Sequence, residues 1–442
     1  MPVTAVTIDL GVIDDGWAAD LDERPVGLPR GWGLLLALGL VLSLVSAVPL
    51  PEPPHEVTRQ PLRTGEFHLA GGALFVLESA RTPTPVAAFD AGDGSYRWTY
   101  TPDGLATLSH VSVAGDLAVL SPDLCRSGVT GTTVAVDLRT GRERWHATGM
   151  PVQTGSGVTG TVVLRSLWSD GCGAIAANTP IGGALLWQSI DGNGRTLWET
   201  PVEAGTRVAI DTTERGATWA ALLDARGGLS VVDFTTGVRS APLAGLGIGP
   251  DDLVAAAGDL LVVARWDTGG ATLTAYARGA AFTPAWQAHV PTGPATGRTD
   301  RFAVRPCARA LCVTGQRTVV LDPLTGALLW SVAGRPALTG APGGLLASPT
   351  GSGIALIDPL TGRAAAQLAG WQLLGVGGDR LLLGLPSTSG TLLAWSAGVA
   401  DPVPFASVGD RLADCDLDGP LVACRTDEDD VVLLRIGLQV AT

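Results

Sequence analysis

The chain has 442 residues, 46% hydrophobic and only 16% charged, with 59 glycines and 30 prolines. Apolar residues suffice for a packed core and the glycines keep no three-residue period, so disordered and collagen-like chains are excluded. A formal net charge of −13 repels a phosphate backbone and sets nucleic acid aside as a partner.

Residues 1–30 are acidic (Asp9, Asp14, Asp15, Asp20, Asp22 and Glu23) and read as a short disordered cytoplasmic tail. Residues 31–50 carry no charge, and at ~1.5 Å per residue they match the hydrocarbon thickness of a membrane as one helix. Trp32 opens the segment, Arg24 and Arg30 precede it, and Glu52 and Glu56 follow. Arginine at that end keeps the N-terminus in the cytoplasm and sends the rest out of it. A cleaved signal peptide is the competing reading. Its positive region would have to include the six acidic residues, and the proline-rich stretch after it has no small-X-small cleavage pattern. The expectation is therefore a single-pass anchor in the cell membrane. Residues 51–62 read as a stiff proline-rich spacer, and residues 63–442 as one extracytoplasmic domain.

That domain is written as a repeat. Asp90, Gly94 and Trp98 stand at offsets of zero, four and eight, in AAFDAGDGSYRW. The same offsets recur at Asp137, Gly141 and Trp145, and at Asp322, Gly326 and Trp330. Asp233 with Gly237 and Asp358 with Gly362 lack the tryptophan, while Gly194 and Trp198 have Ile190 in the aspartate's place. Looser copies lie between Tyr276 and Trp286 and near Trp395. Apolar alternation before the aspartate is a half-buried strand, and the aspartate can bond its own turn. The glycine tolerates positive φ, and the tryptophan on the returning strand can pack across to the next unit. Two more short strands precede each copy, as at 111–113 and 117–120. Four strands per unit make one antiparallel blade, so the fold class is all-β, a β-propeller. A spacing of about 45 residues predicts eight blades, with seven and nine open, and a ninth partial unit at 412–436 that helps close the ring.

This aspartate–glycine–tryptophan pattern resembles the pyrroloquinoline-quinone-type β-propeller repeat, whose family includes quinoprotein alcohol dehydrogenases and the propeller subunit of the outer-membrane barrel-assembly machinery. The resemblance covers nearly all of residues 60–440 and implies fold more than activity. For a quinoprotein dehydrogenase it implies an adjacent cysteine pair, a tryptophan beneath the cofactor and an Asp/Asn/Glu calcium site. Here no two cysteines are adjacent, and asparagine occurs only as Asn178 and Asn193. For the assembly subunit it implies envelope protein assembly, although that subunit carries a lipid where this chain has its hydrophobic segment.

Six cysteines fit an oxidising compartment. Cys307 and Cys312 bracket one hairpin and Cys415 and Cys424 another, where opposed strand residues suit a disulfide. Cys125 and Cys172 follow the second strands of adjacent blades and form the third expected pair; six buried thiols are the alternative.

Other motifs point away from catalysis. All 29 basic residues are arginine, so no lysine can form a Schiff base or hold a phosphate. Asp414, Asp416, Asp418 and Gly419 open a calcium-loop pattern, but Arg425 stands where its bidentate glutamate belongs, and a solvated hairpin turn is the reading. Asp427–Asp430 reads as an exposed acidic loop. Gly155, Gly157 and Gly160 match a dinucleotide-binding spacing, but a strand follows instead of a helix. The five histidines (His55, His68, His110, His146 and His289) have no metal-ligand spacing. No catalytic residue, cofactor or metal is expected. The function expected is binding or scaffolding of an envelope protein or an extended peptide. A quinone- or metal-dependent oxidoreductase and a transmembrane sensor remain the alternatives.

Overall fold

The computed structural model divides the chain into Met1–Leu50 and Pro51–Thr442. It describes residues 55–436 except 63–64, 79–80, 104–106, 123–130, 155–160, 166–184, 211–217, 244–245, 250–251, 267–269, 279–281, 292–302, 316, 335, 378–379 and 397–400. The expected anchor and cytoplasmic tail lie outside the described residues. Among the described residues, no helix is long and apolar enough to cross a membrane.

Among the described residues, nine antiparallel sheets follow one another, and they make nine blades rather than the preferred eight. Blade 1 runs through Glu66–Ala70, Ala73–Leu77, Val86–Asp90 and Tyr96–Tyr100, paired in that order from the axis outwards. Blades 2, 3 and 5 to 8 repeat this four-stranded meander. Blade 4 has three strands, Arg207–Ile210, Trp219–Leu223 and Leu229–Asp233; residues 239–243 replace a fourth strand with single bridges from Arg239 and Leu243.

The ninth unit is a whole blade. Its three inner strands are Leu412–Asp418, Leu421–Thr426 and Asp430–Arg435, and its outer strand is His55–Pro61 from the other end of the domain. His55 pairs with Arg435 and Pro61 with Asp430. Most of the presumed spacer is therefore the strand that closes the ring, because Asp430–Arg435 presents an unpaired edge that it satisfies. Asp430 begins this strand rather than ending a loop.

Alternation along each strand builds the core. Leu421 and Ala423 pack towards blade 1, whereas Val422 and Cys424 pack towards blade 8. Among the described residues, nine apolar clusters result, one at each junction between consecutive blades. Two buried indoles anchor the junctions of blade 4. Trp187 meets Phe234 at 5.0 Å, and the Trp219 N–H donates to the Gly258 carbonyl at 2.9 Å. Burying one such large side chain contributes about 1.5–3 kcal/mol.

The meander gives the ring two unlike faces. Turns between first and second strands share one face with turns between third and fourth strands, as Ala91 N–H to the Gly72 carbonyl and Leu138 N–H to the Asp116 carbonyl demonstrate. We call this the turn face. The opposite face carries second-to-third turns and the links between blades.

Candidate functional site

The repeat residues form a lock between neighbouring blades. Each aspartate ends a third strand and caps the turn that follows: Asp137 Oδ1 accepts from the Thr140 N–H at 2.9 Å and from its hydroxyl at 2.8 Å. The other oxygen of Asp137 takes the Arg144 guanidinium at 2.6 Å, and Asp90 takes Arg97 in the same way at 2.7 Å. Arg144 and its hydrogen bond hold the Asp137 carboxyl at about 2, and Arg97 likewise holds Asp90 below the usual carboxylate range. These arginines were not singled out in the sequence, although each directly precedes a repeat tryptophan. In blade 3 the role left open by Ile190 belongs to its neighbour Asp191, whose Oδ1 accepts from the Asn193 and Arg195 N–H groups at 2.9 Å.

The turn glycines have positive φ, 68° at Gly362 for example, and five of them receive an indole from the preceding blade. A Cβ on Gly362 would lie 2.5 Å from Trp330, and Gly141, Gly194, Gly237 and Gly326 meet Trp98, Trp145, Trp198 and Trp286 in the same way. Three of these indoles also donate to the carbonyl just after the next blade's aspartate position: Trp98 to Leu138, Trp286 to Pro323 and Trp330 to Pro359, at 2.7–3.0 Å. Gly94 in blade 1 meets Thr58 of the closing strand instead. Asp233, Asp322 and Asp358 cap their turns too, and Asp233 binds Arg278 at 2.8 Å.

Inner strands of blades 1, 2, 8 and 9 border an open cavity of about 360 Å³. His68 and His110 meet edge to face there, centroids 4.3 Å apart, and His68 Nδ1 lies 3.7 Å from Asp416 Oδ2. Poor hydration among surrounding protein, with a smaller push from His68, lowers His110 to about 4; Asp416 acts in the opposite sense. The two histidines are distant in sequence but about one repeat apart, and this period was the available signal for their meeting. An adjoining cavity of about 400 Å³ brings Glu66, Asp414, Asp416 and Arg425 together. Among the described residues, no three His, Cys, Asp or Glu side chains are arranged to hold a metal ion.

The acidic Asp414–Asp418 stretch is not a solvated turn. It belongs to the innermost strand of blade 9, and two of its carboxylates clasp blade 1: Asp416 accepts from the Leu69 N–H at 3.3 Å and Asp418 from the Gly72 N–H at 2.9 Å. Arg59 of the closing strand reaches Asp410, just before the innermost strand of blade 9, at 2.7 Å, and is steadied by Glu56 of its own strand at 3.1 Å.

Both hairpin disulfides are formed, in two different registers. Cys415 lies directly opposite Cys424, whereas Cys307 pairs with Ala310 and reaches Cys312 diagonally. Cys125, Cys172 and the Gly155–Gly160 motif lie outside the described residues. His146 sits on the outer strand of blade 2, with Nδ1 2.6 Å from Glu143.

No curated protein matches the chain. Among solved structures, BamB from Moraxella catarrhalis is 14% identical, covering 88% of this chain and 99% of its own, with a TM-score of 0.40. The computationally designed Ika8 protein is 12% identical, covering 85% and 100% with a TM-score of 0.41. A europium-containing methanol dehydrogenase is 13% identical, covering 64% and 72% with a TM-score of 0.34. The family described as outer membrane protein assembly factor BamB matches residues 17–278, more than half of the sequence. With its nine blades and the lock that joins them, the chain belongs to that family of quinoprotein-type repeat propellers.

Proposed function

We propose that this protein is a non-catalytic binding propeller, anchored in the cell membrane through residues 31–50, that holds an envelope protein or an extended peptide. One observation carries the reading. The repeat indoles are seated on the glycine turns of the next blade, three of them with the N–H bonded as well, so the motif that the sequence repeats is spent on joining blades. Their architectural use leaves turns and loops as the working surface, which suits contact with a macromolecule. The name of the matched family, an outer membrane protein assembly factor, supports the same class of role.

Proximity labelling of the anchored protein in its native cell tests this. Enrichment of a defined set of envelope proteins, lost when the propeller is replaced by an unrelated domain, is the expected result. Purified protein carrying a quinone by absorbance and mass spectrometry would overturn the non-catalytic reading. Loss of phenotype on deleting residues 1–28 alone would favour a sensor.

A further inference from the structure

The outermost strand of a blade has one unpaired edge, which is a template for any further strand. Natural edges are blunted by charged side chains and by proline. Arg97 serves this purpose in blade 1, Arg144 in blade 2, Glu199 in blade 3, Pro284 in blade 5, Pro404 in blade 8 and Arg59 in blade 9. Leu328–Ala333 of blade 6 and Ala364–Ala369 of blade 7 contain neither a charge nor a proline. These outer strands all lie among the described residues, and the two bare ones are neighbours in the ring.

Blade 7 has the better-defined edge. The Gly370 N–H donates to the Ser352 carbonyl at 2.7 Å, which sets the alternation of the ladder beside it. Gln367 opposite Ala355 and Ala369 opposite Gly353 are therefore the pairs that do not bond each other. Their N–H and C=O groups point away from the sheet and have no hydrogen-bond partner among the described residues. Both residues are exposed. On the blade 6 side, Val332 shares the face of its strand with Trp330, which covers Gly362, and is 37% exposed beside this edge.

Charge and area narrow the occupant. Residues 303–400 hold six arginines against three aspartates and no glutamate, in a chain of net charge −13. The Arg363 guanidinium, exposed at the head of the strand, has no partner among the described residues. A second copy pairing through this one strand of six residues would bury well under the roughly 800 Å² per partner of a stable interface. A single extended segment needs no such area, because backbone pairing supplies its affinity.

We infer that the outer edge of blade 7 receives an extended segment of a partner polypeptide as a fifth strand, uncharged along its middle and with a carboxylate beside Arg363. The inference rests on the reading of the protein as a binding propeller, and adds a strand edge to the turns and loops as working surface.

Hydrogen exchange of the full chain in detergent, with and without a blocked Asp-Val-Thr-Val-Thr-Val-Asp peptide, tests it. Exchange in 364–369 should slow by about tenfold at saturating peptide, while Tyr96–Tyr100 stays unchanged. The same peptide with alternate backbone nitrogens methylated should give no slowing. Gln367→Pro removes a donor that the blade itself does not use, and Ala369→Glu supplies the missing charge; each should abolish the protection. Slowing by the methylated peptide, slowing at Tyr96–Tyr100 as well, or none in 364–369 overturns the inference. Slowing that grows with protein concentration in the absence of peptide also overturns it, in favour of a second copy. An unprotected edge together with a defined set of proximity-labelled envelope proteins sinks this inference and leaves the binding reading in place.

Discussion

Gly362→Ala should cost far more than a glycine substitution at another left-handed position. Gly362 has φ 68°, and a methyl there would sit 2.5 Å from Trp330 Cγ. Gly258 has φ 60° with nothing within 4 Å. Backbone strain alone costs about 1 kcal/mol for alanine at either site. At Gly362 the indole must also shift, adding about 1–2 kcal/mol of overpacking and weakening its 2.7 Å bond to the Pro359 carbonyl. The expected losses are about 3 kcal/mol for Gly362→Ala and about 1 kcal/mol for Gly258→Ala. Urea unfolding followed by far-ultraviolet circular dichroism measures both, and an unchanged m-value keeps the comparison valid. In a Trp330→Ala background the cost of Gly362→Ala should fall to about 1 kcal/mol, a coupling of ~2 kcal/mol. Equal losses at the two glycines, or no coupling to Trp330, would refute the lock between blades.

Trp98→Phe keeps a ring over Gly141 but removes the donor to Leu138, and should lower stability by about 1 kcal/mol in the same assay. The Asp137 carboxyl is held at about 2 against 3.8 when unfolded, so its stabilisation is complete above 3.8 and is lost as pH falls towards 2. Acid unfolding of Asp137→Asn should be correspondingly less steep there. His110 adds to the same acid sensitivity, although here the fold favours the neutral form over the charged one. Its folded value near 4 lies below 6.5, the unfolded chain binds more protons between them, and stability falls as pH drops through that window. Proton NMR should place the His110 midpoint near 4, and lower still in Asp416→Asn. Replacing Cys415 and Cys424 together by alanine opens a short loop and should cost about 2–3 kcal/mol, read by urea midpoint against the untreated protein.

The blade was legible because its turn makes demands that few residues meet: a side-chain acceptor, a left-handed glycine, and a flat ring to cover it. The count was not. Blade 9 has no third-to-fourth turn, since its third and fourth strands come from opposite ends of the domain, and so it has no aspartate–glycine–tryptophan copy to count. The closing strand was hidden for a related reason, because prolines around His55–Pro61 suggested a spacer while an outer edge strand tolerates Pro61 at its end. Asp416 and Asp418 drew attention as a metal pattern. Their actual partners are backbone N–H groups of blade 1, which carry no signature in the sequence. The arginine before Trp98 and Trp145 was visible as a recurrent dipeptide, yet its pairing with the turn aspartate needed the hairpin geometry.

His55–Pro61 is among the first parts of the domain to be synthesised, and the strand that receives it is the last. Until Asp430–Arg435 emerges, the early segment has no partner in the ring, and eight blades must wait as an open arc with two raw ends. The final folding event should therefore couple the whole domain at once. A nascent chain cut short within its last thirty residues would forfeit circularity as well as one sheet, leaving both rims of the arc as templates for other strands.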